Sequence, residues 1–139
     1  VDCPMIMVAH LHCTCFDKEE IPTSLSKNAL TYLRKNLNYQ GLIITDDMVM
    51  GGVLGSVTGD KKQETGDTSQ STLHSSRACV QAIKAGVNIL LYRNSDDETI
   101  KIIKNLARLA KTDGQLRHNI ETSYEKIISF KQNFFHGKI

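Results

Sequence analysis

What the sequence lacks narrows the field before any motif is read. No apolar run approaches the ~20 residues that a membrane-spanning helix needs, so no membrane association is expected. No signal-peptide pattern is visible, and the sequence opens at Val1 already inside a strand-like segment. Neither charge sign is in excess: 17 Lys and Arg against 15 Asp and Glu leave a net charge of +2, too near balance to argue for nucleic acid or an anionic membrane as partner. Cysteine is sparse, and the spacing of Cys3, Cys13, Cys15 and Cys79 matches no common disulfide framework. That usage points to reduced thiols in a cytoplasmic protein. What remains, 139 residues of which 40% are hydrophobic and 23% charged, suits one globular unit long enough to bury a core.

The stretch around which the chain is organised is Gly41-Leu42-Ile43-Ile44-Thr45-Asp46-Asp47-Met48-Val49-Met50. A short, continuously apolar run reads as a buried strand of a parallel sheet. It delivers Asp46 and Asp47 to the strand's carboxyl end, where ligands bind and catalytic side chains emerge in parallel α/β folds. A carboxylate held there costs desolvation unless something uses it. The plainer reading is a pair of Asp residues that cap the next segment or lie in solvent.

Around this strand the sequence alternates strand and helix. Val1 to His12 reads as a first strand, with Met5-Ile6-Met7-Val8-Ala9 apolar throughout and both faces covered. Ser26 is a good N-cap for a helix over Lys27–Leu37, whose stripe of Ala29, Leu30, Leu33 and Leu37 packs on the sheet while Lys27, Arg34 and Lys35 face water. Gly51 to Thr72, rich in Gly, Ser and Thr, reads as a long flexible loop at about 51–72, a lid over the site or a segment disordered without ligand. Its Gly55–Lys62 stretch lacks the spacing of a phosphate-binding loop. Helix periodicity returns at Ala78, Cys79, Ala82, Ile83 and Ala85, and Gly86 stops it. Asn88–Tyr92 is the next strand, Ser95 to Glu98 fits a capping box, and a helix runs to about Lys111. A final helix carries Ile120, Tyr124, Ile127 and Ile128. The order is β-α-β-loop-α-β-α-α, an α/β class with parallel strands joined by right-handed crossovers.

His10-Leu11-His12-Cys13-Thr14-Cys15 offers four candidate metal ligands in a short span. The spacing is not a standard zinc pattern, and no second Cys or His pair follows at the usual interval. A small metal-binding domain is therefore the weakest of the readings, and no metal or cofactor is assigned.

The strand run into Asp46-Asp47-Met48, then Met50 and Val53, resembles the nucleophile motif of glycoside hydrolase family 3. That motif is an apolar strand, Ser or Thr, two Asp, Leu or Met, a variable residue, Met, and a small apolar residue shortly after. Ile6-Met7-Val8-Ala9-His10, followed by Asp17 and Pro22-Thr23-Ser24-Leu25-Ser26, is similar to the family's preceding strand and helix start. Ala82 to Leu91 is similar to its following helix and strand. More narrowly, the chain resembles the β-N-acetylglucosaminidase (β-hexosaminidase) branch that acts in bacterial cell-wall recycling. The resemblance spans nearly the whole chain except roughly residues 54–75, which look like an insertion.

The resemblance implies the C-terminal portion of a (β/α)8 TIM-type barrel followed by C-terminal helices, because a whole barrel takes roughly 250 residues. Residues 1–139 are then one partial catalytic barrel domain. It implies that Asp46 is the nucleophile of a retaining mechanism, that His10 lines the sugar pocket, and that Asp47, Met48 and Met50 shape its wall. The substrate implied is a glycan containing N-acetylglucosamine. The family's acid/base, a His–Asp dyad, and its sugar-gripping Arg and Lys-His pair match nothing between Val1 and Ile139, so the chain alone is expected to be inactive. Open sheet edges are expected to favour self-association or pairing with the missing barrel portion. Two plainer readings compete: for His10, a histidine hydrogen-bonded at a strand end, and for the chain, a non-catalytic α/β fragment kept for partner binding.

Overall fold

The structure, a computed structural model, describes residues 3–50, 53 and 68–135. Three parallel strands, β1 (Met5–Val8), β2 (Leu42–Asp47) and β3 (Ile89–Leu91), lie side by side in chain order. Parallel neighbours need a crossover, and helices supply it: α1 (Lys27–Lys35) joins β1 to β2, and α2 (Thr68–Ala85) joins β2 to β3. Two further helices, α3 (Asp97–Ala110) and α4 (Gly114–Phe135), follow. The expected α/β class and strand–helix order are present. Among the described residues no helix is long and apolar enough to cross a membrane.

The core lies between one face of the sheet and the helices. Ile43 of β2, Leu25, Leu30 of α1, Ala78, Cys79 and Ala82 of α2, Val87 and Ile102 of α3 form one buried cluster with Met48 and Val53. Alanine at the α2 contacts lets that helix sit close to the sheet, and both Ala78 and Ala82 are fully buried. Full burial of a side chain such as Ile43 is worth about 1.5–3 kcal/mol. Alternation along β2 sends Ile43, Thr45 and Asp47 to this covered side and Leu42, Ile44 and Asp46 to the other, where Leu42 is buried and Ile44 and Asp46 are half-buried. Register places Met7 of β1 and Ile89 of β3 beside Ile44. None of these three joins the core cluster, and Met7 is 55% exposed. The expectation that both faces of the first strand are covered is therefore corrected: Val8 packs against the core, while Met7 on the other side is exposed.

Polar side chains fix the connections. Ser26 caps α1 by accepting the Ala29 N–H at 2.9 Å, as the sequence suggests. The helix ends at Lys35 rather than Leu37, because the chain turns through Asn38 in the left-handed region at φ 50°. Arg34 does not face water. Its guanidinium donates to the carbonyls of Tyr39 (2.9 Å) and Gly41 (2.6 Å) and to Asn88 Oδ1 (2.9 Å), tying the turn before β2 to the residue before β3. Asn88 also accepts the Ile43 N–H at 3.0 Å and donates to Ser123 of α4 at 3.1 Å. Glycine is required at 41, where a Cβ would lie 2.7 Å from the Pro4 carbonyl oxygen, and at 86, where φ is 119°.

Four further boundaries differ from expectation. The first strand is confined to Met5–Val8, and His12 instead pairs antiparallel with Pro22. The third strand is Ile89–Leu91, because beyond Ile44 the ladder is interrupted and the Thr45 hydroxyl accepts the Leu91 N–H at 3.0 Å. The cap of α3 is Asp96, whose carboxylate accepts the Thr99 N–H at 2.9 Å, not Ser95. Of the loop expected at about 51–72, residues 51, 52 and 54–67 lie outside the described residues, Val53 is buried in the core, and 68–72 belong to α2.

Candidate active site

The site is built at the carboxyl end of β2, where neighbouring carboxylates point to opposite faces. Asp47 is 8% exposed and its oxygens are committed. Oδ1 accepts the N–H groups of Val49 (3.1 Å) and Arg93 (3.4 Å), and Oδ2 pairs with the Arg93 guanidinium at 3.2 Å. Asp47 thereby closes the turn after β2 and ties it to the residues after β3. Asp46 is half-buried on the face away from the core. Its Oδ1 accepts the Asp47 N–H at 2.8 Å, and among the described residues this is the only hydrogen bond to its carboxylate. A carboxylate oriented by one backbone donor and otherwise unpaired retains lone pairs for attack on an electrophile or for proton transfer.

His10 joins the end of β1 to this turn. Its Nε2 lies 3.1 Å from the Asp47 carbonyl oxygen and its Nδ1 2.6 Å from Ser24 Oγ. A carbonyl only accepts, so Nε2 carries the hydrogen and Nδ1 accepts from the Ser24 hydroxyl. Both ring nitrogens are thus used in holding the β1 and β2 ends together. Met48 is 1% exposed and lies in the core cluster, while Met50 is 46% exposed. The structure therefore brings His10, Asp46 and Asp47 together and separates the two methionines. Ser24 and Arg93 belong to the same constellation and escape sequence reading. The signal for Arg93 is its place just past β3, the same end at which the Asp pair leaves β2.

The His-Cys stretch does not converge on one point. His12 Nε2 donates to the Asp17 carbonyl at 3.0 Å, and among the described residues no group of three His, Cys, Asp or Glu side chains is placed to hold a metal. A cavity of about 600 Å³ lies elsewhere, between α2 and the 17–28 segment, and is lined by Ile21, Leu25, Leu73, Arg77 and Val80 among others. None of His10, Asp46 and Asp47 lines it.

The glycosyl hydrolase family 3 N-terminal domain matches residues 2–130. The chain belongs to this family. Among solved structures, a fungal multi-domain family 3 β-N-acetylglucosaminidase is 22% identical over 94% of this chain and 14% of that one, with a TM-score of 0.74. Zinc-bound CbsA from Thermotoga neapolitana is 25% identical over 91% of this chain and 24% of that one, with a TM-score of 0.62. The chain thus spans less than a quarter of the length of either protein. No curated protein matches it.

Proposed function

We propose that the chain is the nucleophile-bearing part of a retaining family 3 β-N-acetylhexosaminidase, with Asp46 as nucleophile and a glycan containing N-acetylglucosamine as substrate. The observation that carries this reading is the asymmetry of the Asp pair. Asp46 stands at the carboxyl end of a parallel strand with its carboxylate nearly unpaired, while Asp47 is consumed by the fold. The motif match over Thr45-Asp46-Asp47-Met48 puts the family nucleophile at the same residue.

In this reading Asp46 attacks the anomeric carbon and displaces the leaving alcohol, which takes a proton from a separate acid. Water then attacks the glycosyl ester and restores the carboxylate. His10 does not serve as that acid: both its nitrogens are engaged, and it holds the pocket edge in place. The three strands are part of a (β/α)8 barrel, and the apolar face bearing Met7, Ile44 and Ile89 is the side turned to the barrel interior. Supporting this, those side chains are left outside the core cluster although Ile44 sits on the central strand with Met7 and Ile89 beside it. The proton donor and the sugar-gripping residues then come from outside residues 1–139, and the chain by itself turns over little or no substrate. General acid/base assistance contributes roughly 10²–10⁴-fold, and positioning is lost with it.

The experiment is turnover of an aryl N-acetyl-β-glucosaminide by the protein joined to the rest of its barrel, with Asp46→Asn and Asp47→Asn compared. Loss at Asp46 and a small effect at Asp47 support the assignment. Equal and mild effects sink it. Appreciable turnover by residues 1–139 alone would contradict the division of the site.

A further inference from the structure

The proposed hydrolysis makes no use of the two cysteines at the start of the loop after β1. Strand alternation does not set their relation, because β1 stops at Val8. Instead Phe16 and Asp17 both donate their N–H groups to the Cys13 carbonyl, at 3.0 and 3.3 Å, and wind residues 13–17 into one helical turn. The side chains already meet: Cys13 Sγ and Cys15 Sγ are 2.9 Å apart. Cys15 is exposed and Cys13 partly so.

We propose that Cys13 and Cys15 form a thiol–disulfide exchange site that takes small-molecule disulfides, with Cys13 the attacking thiol and Cys15 the resolving one. The Cys13 sulfur, as thiolate, attacks one sulfur of the incoming disulfide, forms a mixed disulfide and releases the first small thiol. The Cys15 sulfur, having given up its proton, attacks the Cys13 sulfur, forms the Cys13–Cys15 bond and releases the second small thiol. Two electrons pass from the cysteine pair to the small disulfide, and the two protons leave on the two released thiols. The order follows from the contact between the two sulfurs. The two thiols share one hydrogen bond in which either sulfur can donate, and their contact lowers Cys13 below the ordinary cysteine range and raises Cys15. The thiolate is the nucleophile in exchange, so the member that ionises first attacks first.

The other two thiols lack this arrangement. Cys79 is buried against Tyr92 Oη at 3.1 Å, and burial pushes its thiol up to about 11. Cys3 is exposed, and its Sγ contacts only the Met5 carbonyl, with no second thiol beside it. Oxidation of the pair would cross-link the turn whose Asp17 accepts from the Ser26 hydroxyl and, at 2.8 Å, from Asn28. Exposed disulfides have the more oxidising potentials and are readily re-reduced, so the site is reversible.

The test is incubation of the chain with oxidised glutathione, followed by alkylation of free thiols and mass mapping. The wild-type chain is expected to yield a peptide with Cys13 and Cys15 joined, and dithiothreitol is expected to reverse it. Cys15→Ser should stop at one glutathione on Cys13. Cys13→Ser should likewise stop at one glutathione, on Cys15, with no bond within the chain. Because both side chains lie near the surface, serine at either position leaves the core untouched, and Cys3→Ser is the control for adventitious reaction. Reaction confined to Cys3 would overturn the proposal, as would a wild-type chain that carries glutathione on Cys13 or Cys15 without joining the two.

Discussion

The two faces of the same three strands do different work. On one, Ile43, Thr45 and Asp47 are buried, and every polar atom described there has a partner: the Thr45 hydroxyl takes the Leu91 N–H and the Asp47 carboxylate takes two N–H groups and a guanidinium. On the other, Met7, Ile44 and Ile89 stay outside the core and Asp46 keeps a nearly unpaired carboxylate. A buried polar group is tolerated only when satisfied, so the covered face consumes its carboxylate. The open face leaves its carboxylate available. Adjacent residues of one type are thereby divided by strand alternation into a carboxylate committed to the fold and one left nearly unpaired.

The sharpest way to break this contrast is at the Asp pair. On the proposed reading, in a protein that supplies the remaining barrel strands, Asp46→Asn keeps the shape and removes the attacking charge. Turnover of the aryl glycoside should fall by roughly 10³-fold or more, as for loss of other covalent nucleophiles, while Asp47→Asn should leave most activity. The next contrast is in stability. Ile43→Ala empties a fully buried site and should cost about 2–5 kcal/mol in urea unfolding. Met7→Ala, on the open face, should cost under about 1 kcal/mol in the isolated chain. A similar loss at both positions would show that the open face is packed.

A smaller effect is expected at Arg34→Ala. Removing the guanidinium leaves the Tyr39 and Gly41 carbonyls and Asn88 short of a donor, at a cost of about 1–3 kcal/mol. The smallest is a response to acid. The Asp96 carboxylate is held below its usual range by the Thr99 N–H and hydroxyl, and that of Asp113 by Lys84, which lies 2.5 Å away, and by the Leu116 N–H. Depressed folded values stabilise the native state above the unfolded carboxylate range, near pH 4. The contribution should therefore be level from pH 7 to about 5 and decline as pH falls further. Thermal unfolding across that range checks the sign, and Asp113→Asn should flatten part of the slope.

The βαβ order was legible because period alone separates a continuous apolar run such as Leu42–Ile44 from the stripe of Ala29, Leu30 and Leu33. The Ser26 cap was legible because capping is local chemistry within one turn. Arg34 was misread for the opposite reason. Its helix position is a water-facing one by spacing, but its partners at Gly41 and Asn88 arrive only when two strands pair. The same holds for Ser95 and Asp96, since either side chain satisfies the pattern and the backbone path into α3 selects Asp96.

By itself the sequence determined the class of fold, the strand that ends in two carboxylates and the family motif those residues complete, because each depends on residues close together in the chain. Only the tertiary structure decided which carboxylate is spent, that His10 is held by Ser24 and the Asp47 carbonyl, that Met48 packs in the core, and that Cys13 and Cys15 meet through a turn. Those outcomes depend on which face of a strand is covered and on partners brought from distant segments, and neither is encoded in the spacing of neighbouring residues.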